Sequence, residues 1–421
     1  MSLNPQRTVL DNGPVLIYQR MPANPFVAFH GSIWAGAVSE EKKGVAEFAA
    51  QLLMSGTKTK KAAKFSEAIE SLGATLDFDN SQETMHFYGR CPRSTSRKLF
   101  AILLDCLSNP TFPNVEVERV RGEIIDGLRM DMDNTTHRAS KDLLESLYPN
   151  HLYGKDPRGE ESDIRKVKRT DVVSFHSANF GPKGMMIALS GDVDGELVRH
   201  DIAPAISNFD GDSEKPKVTT PGPAKKTKRI IAMPHKSQAD IAVGLRAVDR
   251  HHEDFYALSM VNLLFGRIGL YGRLGRNLRD EQGLAYYSYS SFEARPIAGH
   301  WNIIAGVNPG NVQKAVKGIS KEIEKLHTNP LTKDEIADGM DNQVGALNVN
   351  LERNAEMAAE LYRIEFFGLG LDYLKRFPSI VRSLTLSQIL GAAEKYIRAE
   401  DCSIAVAGPV ERGLEKSLEW P

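Results

Sequence analysis

Gly272-Arg273-Leu274-Gly275-Arg276-Asn277-Leu278-Arg279-Asp280-Glu281-Gln282-Gly283-Leu284-Ala285-Tyr286 reads as the end of a helix at Arg279, a sharp turn at Gly283 and the start of a strand. The strand runs from Ala285 to Ser291 and has a candidate partner in His300–Ala305. Upstream lie strands Arg229–Met233 and Asp240–Leu245, then a helix carrying Phe255, Leu258, Val261, Leu263 and Leu264. Downstream lie a helix near Val312 to Leu326, a break at Asn329-Pro330, more helices, and a strand Ile404–Ala407 closing at Gly408-Pro409.

The first half has the same order of elements. Strands Val15–Gln19 and Val27–Ala35 precede a helix from Val45 to Met54 and a second with Phe65, Ile69 and Leu72 at helical spacing. Strand candidates Thr75–Phe78 and Thr84–Arg90 then flank the polar turn Asp79-Asn80-Ser81-Gln82. A helix around Leu99 to Leu107, a break at Asn109-Pro110, a long helix near Val115 to Met132 and a strand Met185–Ser190 ending at Gly191-Asp192 complete the half. The landmarks are displaced by 210 residues from Gly73 to Gly283, by 220 from Asn109 to Asn329, and by 217 from Gly191 to Gly408. Near-constant offsets of this kind point to two homologous α+β domains, each a mostly antiparallel sheet with helices packed on one face. They are expected at 1–211 and 229–421, joined by a Lys- and Pro-rich linker at 212–228 that contains Lys225-Lys226-Thr227-Lys228.

Composition narrows the function. The 421 residues carry 53 Lys plus Arg against 54 Asp plus Glu, a net charge of −1, which argues against a protein built to bind nucleic acid or an anionic membrane surface. No apolar run approaches the roughly 18 residues of a membrane span. Cys91, Cys106 and Cys402 are too few for a disulfide framework, form no zinc-type pair, and are expected to be small buried residues. His251-His252, followed by Glu253-Asp254, stands at the start of a helix, where acidic residues suit the dipole, and reads as surface rather than metal ligand. The strand-like run Val15–Gln19 begins almost at once, so no leader segment is expected within this sequence, which leaves both a cytoplasmic protein and one exported after removal of a signal peptide open.

The segment Gly44-Val45-Ala46-Glu47-Phe48-Ala49-Ala50-Gln51-Leu52-Leu53-Met54-Ser55-Gly56-Thr57 resembles the signature helix of the pitrilysin/insulinase family of metallopeptidases, G-x-A-H-F-x-E-H-M-x-F-x-G-T. There, H-x-x-E-H places two zinc-binding imidazoles one helical turn apart, with a glutamate that activates the metal-bound water. Here the frame remains without the chemistry: Glu47 stands at the first histidine, Ala50 at the general base and Gln51 at the second histidine. The family's third ligand falls near Asp126 or Gly127. Alanine cannot deprotonate water and glutamine is a poor zinc ligand, so no metal is expected in this chain, either as zinc or as a hard cation held by Glu47, Gln51 and Asp126.

The resemblance extends to His151-Leu152-Tyr153-Gly154, to Asn179 through Asp194, to the hairpin after Gly73, and most sharply to Gly272–Tyr286, which is similar to the family's S-R-L-x-x-x-[IL]-R-x-x-x-G-L-A-Y. It implies that Arg279 and Tyr286 bind the substrate carbonyl and the developing oxyanion. A guanidinium offers several fixed donors and a phenol one. Some bacterial members divide the labour between one chain with H-x-x-E-H and one with only the arginine and tyrosine, and this sequence looks like the second. The resemblance therefore implies a non-zinc subunit that acts on unfolded peptides beside a zinc-bearing homologous partner. The alternatives are an inactive structural or peptide-binding homologue similar to respiratory-complex core subunits, expected as a homodimer or with a non-peptidase partner, and an independent zinc metalloendopeptidase.

Overall fold

The computed structural model describes residues 3–421 apart from 24, 212, 269–271 and 412. Strands β1 (Gln6–Val9), β2 (Val15–Arg20), β3 (Phe26–Ile33), β4 (Thr75–Asn80), β5 (Met85–Pro92) and β6 (Met186–Gly191) form one sheet in the order β1-β2-β6-β3-β5-β4. Strands β7 (Lys228–Ala232), β8 (Ala239–Ala247), β9 (Ala285–Ala294), β10 (Gly299–Val307) and β11 (Ser403–Gly408) form the other, in the order β7-β11-β8-β10-β9. Without β1 the two orders coincide strand for strand. The parallel pair β2/β6 corresponds to β7/β11, and every other pairing is antiparallel in both sheets. The repeat read from the landmarks is thus a repeat of strand partners and directions.

The principal helices are α1 (Val45–Leu52), α2 (Ala63–Glu70), α3 (Ser96–Ser108), α4 (Asn114–Asp133), α5 (Thr135–Leu147), α6 (Arg169–Asn179), α7 (Phe255–Asn262), α8 (Val312–Thr328), α9 (Lys333–Asn350), α10 (Asn354–Phe366), α11 (Tyr373–Arg382) and α12 (Leu386–Tyr396). By contacts the chain forms two compact units, each discontinuous in sequence: 1–128, 156–218 and 346–376 make the first, and 129–155, 219–345 and 377–421 the second. Helix α5 therefore belongs with the second sheet and α10 with the first.

In the first unit, alternate residues of β3, Val27, Phe29 and Ile33, enter a core with Phe48, Leu52, Phe100 and Leu103 from α1 and α3. The Phe29 and Phe100 rings lie 4.9 Å apart, and each buried ring of this size contributes about 1.5–3 kcal/mol. The other face of β3 is polar and meets α10. Tyr362 donates to Ser32 Oγ (2.9 Å), and its ring stacks on His30 with centroids 4.5 Å apart. His30 Nε2 lies 3.3 Å from His86 Nδ1, and His86 Nε2 lies 3.0 Å from Thr84 Oγ1. Burial pushes both imidazoles from the ordinary 6.5 down to about 4, so the folded unit takes up their protons later than the unfolded chain does. Stability should be fully present above pH 6.5 and fall toward pH 4. His86→Gln should flatten that acid limb, read as melting temperature against pH.

The second unit repeats the design. Ile241, Val243 and Leu245 of β8 enter a core with Trp301, Ile303 and helices α7, α8 and α12. The Trp301 indole donates to Asn262 Oδ1 at 3.0 Å, which satisfies a buried N–H. The opposite face of β8 carries Asp240, Gly244 and Arg246 and meets α5: Thr135 bonds to Asp240, Leu143 packs at Gly244, and Arg246 donates to the Leu147 carbonyl (3.2 Å).

Strand β1 and helix α5 have no counterpart in the sequence reading. β1 is exposed along its length and so carries no apolar alternation. The three cysteines are free and buried. Among the described residues no helix is long and apolar enough to cross a membrane.

Candidate functional site

Helix α1 is buried at every position but Gln51, because it runs through the core rather than over it. Glu40 caps its start, accepting from the amides of Gly44 (3.1 Å) and Ala46 (2.7 Å); burial pushes that carboxyl up to about 7 against the pull of the amides. Glu47 is 7% exposed and accepts a 2.6 Å hydrogen bond from Gln51 Nε2, one turn on. Burial raises the pKa of Glu47, and the Gln51 amide opposes the rise. The two residues at the histidine positions thus satisfy one another, and Ala50, buried between them, offers no donor atom. Asp126 is exposed on α4. Among the described residues no three His, Cys, Asp or Glu side chains gather in a way that could hold a metal. The His251-His252 pair is tied up locally: His252 Nδ1 accepts from the Asp254 amide (3.0 Å), and Asp254 accepts from Tyr396 (2.7 Å).

The Arg279–Tyr286 segment has a different character. Arg276–Glu281 is a wide, π-type turn, a form met often at functional sites. It is closed by the amides of Gln282, Gly283 and Leu284, which donate to the carbonyls of Asn277 (3.0 Å), Arg279 (3.1 Å) and Leu278 (2.8 Å). Gly283 makes the reversal possible, with φ of +59°. Buried Leu278 anchors the turn and Arg279 is exposed. Two residues past Gly283, β9 begins with buried Ala285, and then Tyr286 stands 58% exposed. Val307 pairs with Ala285 and Gly306 with Tyr287, so Tyr286 is the extra residue of a β-bulge. Bulges re-aim side chains and are common beside active sites. Neither Arg279 nor Tyr286 has a side-chain hydrogen bond or ion pair with any described residue, which leaves their donors free for a ligand.

A family profile described as "Insulinase (Peptidase family M16)" matches residues 15–156, and one described as "Peptidase M16 inactive domain" matches 166–342. The chain belongs to the insulinase family. It is 24% identical to an uncharacterised zinc protease of Mycobacterium tuberculosis strain H37Rv, over 99% of this chain and 95% of that protein. It is also 24% identical to the mitochondrial-processing peptidase subunit beta of Pongo abelii, over 90% of this chain and 80% of that one. In fold it is similar to a peptidase M16 inactive domain from Pseudomonas fluorescens, with a TM-score of 0.91 at 22% identity, covering 97% of this chain and 98% of that one. A protease from Helicobacter pylori gives 0.87 at 20% identity, covering 96% and 99%.

The other arginine of the insulinase-like motif has a structural task. Arg273 donates from Nε and Nη2 to the two carboxylate oxygens of Glu335 (2.9 and 2.7 Å) and to the carbonyls of Asn329 (2.6 Å) and Pro330 (3.0 Å). It thereby ties the motif to the start of α9. This guanidinium pulls the Glu335 carboxyl down to about 2. Because the folded value lies below the ordinary 4.5, the stabilisation is complete above pH 4.5 and is lost as pH falls toward 2. Arg273→Ala should cost about 1–2 kcal/mol at neutral pH and remove that acid dependence, measured by urea unfolding across pH. Asp240 and Tyr287, which join the site below, were missed by sequence reasoning. The only signal was one carboxylate in the otherwise apolar run Ala239–Leu245.

Proposed function

We propose that this chain is the non-zinc subunit of a heterodimeric insulinase-type peptidase and that Arg279 and Tyr286 act on peptide held at a partner's zinc. The observation that carries the reading is a contrast. Glu47, Ala50 and Gln51 form a closed, mutually satisfied group where a metal would sit, while Arg279 and Tyr286 are presented outward without partners. Exposed donors that no part of the fold uses can be given up by water to a ligand at little cost. The Arg279 guanidinium would grip a peptide carbonyl through its planar fork, and the Tyr286 phenol would donate to the oxyanion as it forms. Zinc chemistry belongs to the partner, a homologous chain with H-x-x-E-H. One relative is itself named as a subunit of a processing peptidase, which supports a reading in which the work is divided between chains.

The test is reconstitution. The chain alone should cleave no unfolded peptide and bind no stoichiometric zinc; mixed with a homologous zinc-motif chain from the same genome, it should co-purify and raise cleavage of fluorescein-labelled casein peptides. A stable chain that never stimulates cleavage in any such mixture would leave the inactive structural homologue as the better reading.

A further inference from the structure

Tyr286 is forced out of the sheet by what holds its two neighbours. Ala239, Val307 and Ala285 form one cross-strand row, and all three side chains enter the core of the second unit. The next row is Asp240, Gly306 and Tyr287, on the opposite face. In a regular strand, faces alternate with every residue, so positions 285 and 287 would share a face. Here they lie on opposite faces, and residue 286 must be the extra one.

What pins the second row is a buried carboxylate that has no cation partner among the described residues. Asp240 is 0% exposed. It accepts from Thr135 Oγ1 (2.5 Å), from Gln238 Nε2 (3.1 Å to each oxygen), and from the Tyr287 hydroxyl in a short bond. The same hydroxyl lies 2.8 Å from Thr136 Oγ1 and accepts from Gln238 Nε2 (3.3 Å). Thr135 and Thr136 form the first turn of α5, whose N-terminus favours a carboxylate. Gly306 supplies the floor, since a Cβ there would sit 2.5 Å from the Tyr287 ring. The ring stacks on Tyr289 with centroids 6.2 Å apart.

We propose that Asp240 and Tyr287, with Thr135 and Thr136, are positioning residues for Tyr286: their clamp sets the β9 register that creates the bulge and so aims the phenol. The proposal rests on the role given above to Arg279 and Tyr286. Loosening the clamp lets the start of β9 slip by one residue, which turns side chains to the other face.

The experiment places 3-fluorotyrosine at position 286 and records its fluorine resonance in the full chain, alone, well below the melting transition. A single sharp line is expected in the parent, and a shifted or split line in Tyr287→Phe and Asp240→Asn. In the reconstituted mixture with casein peptides, both variants should lose roughly tenfold to a hundredfold in kcat with KM little changed, kcat being referred to the concentration of folded, partner-bound chain, because loss of folded protein alone would also lower apparent kcat at constant KM. An unchanged fluorine line in both variants overturns the proposal whatever the activity. A shifted line with full kcat also overturns it, as long as Tyr286→Phe itself is impaired. If Tyr286→Phe turns over normally, the functional reading fails first, and the proposal fails with it.

Discussion

Arg279→Ala should lower the kcat/KM of the reconstituted peptidase by about a hundredfold or more, while the melting temperature of the chain stays where it was. The two halves of this expectation come from the same fact. Arg279 is exposed and bonds to no described side chain or carbonyl, so its removal takes nothing from the fold, and surface changes of this kind usually stay within about 0.5 kcal/mol. Its donors meet solvent and are open to a ligand. In the proposed role Arg279 holds the peptide carbonyl in place, and misplacing a reacting group costs about 10² in rate; loss of one preorganised donor to a developing oxyanion costs about 10²–10³. Tyr286→Phe, which removes one hydroxyl and keeps the ring, should fall in the same range and act chiefly on kcat, because the phenol meets charge that exists only in the transition state. Arg279→Lys should recover little, since an ammonium keeps the charge and loses the planar fork. Steady-state kinetics of the mixture, with calorimetry of each variant alone, check both halves. Normal turnover in Arg279→Ala and Tyr286→Phe would remove the catalytic role.

Much of this architecture is written in local signals. Strands such as Asp240–Leu245 and Met185–Ser190, and helices such as Leu99–Leu107, lie in an apolar context dense enough to be read from periodicity, and the structure places β8, β6 and α3 there. The reversal and strand at Arg279–Tyr286 were legible for the same reason, since Gly283 marks the reversal and an aromatic run follows, whereas the widening of Arg276–Glu281 to a π-type turn was not. What could not be read depends on partners far away in sequence. Helix α5 follows α4 across one residue, Asn134, whose side chain caps it by accepting from the His137 amide (2.9 Å); that local cap marks a new helix, but its packing on β8, about a hundred residues on, is not in the local signal. The bulge at Tyr286 is invisible for the same reason, since it exists only relative to Gly306 and Val307 on the neighbouring strand. Glu47 and Gln51 could be seen to lack zinc chemistry, but their mutual 2.6 Å bond needed the helix to be buried around them.

Gly191→Ala and Gly408→Ala should each cost about 4 kcal/mol or more, at the upper end of what a single substitution does. The two glycines close β6 and β11, and they are equivalent in the duplicated topology down to single hydrogen bonds. The Gly191 carbonyl accepts from the amides of Met21 (2.6 Å) and Val193 (2.8 Å); that of Gly408 accepts from Met233 (2.6 Å) and Val410 (2.8 Å). Both have left-handed φ, +117° and +153°, where a Cβ is strained before any contact is considered. Contact makes it worse. A Cβ on Gly191 would overlap the Phe26 carbonyl oxygen, which already accepts from the Asp192 amide (3.1 Å) and Asn354 Nδ2 (3.0 Å). A Cβ on Gly408 would come within 2.6 Å of Ala239 Cα. In both cases the obstacle is backbone inside a sheet, which cannot rotate away as a side-chain tip can. At roughly 2–4 °C per kcal/mol for units of this size, the melting temperature should fall by about 8–16 °C. Gly222→Ala, where an added Cβ meets nothing within 4 Å and φ is not left-handed, is the control and should melt like the parent. A Gly191→Ala or Gly408→Ala protein that also melts like the parent would mean that the two strand ends can relax around a methyl group, and that these positions keep glycine for some reason other than the close approach of the backbone.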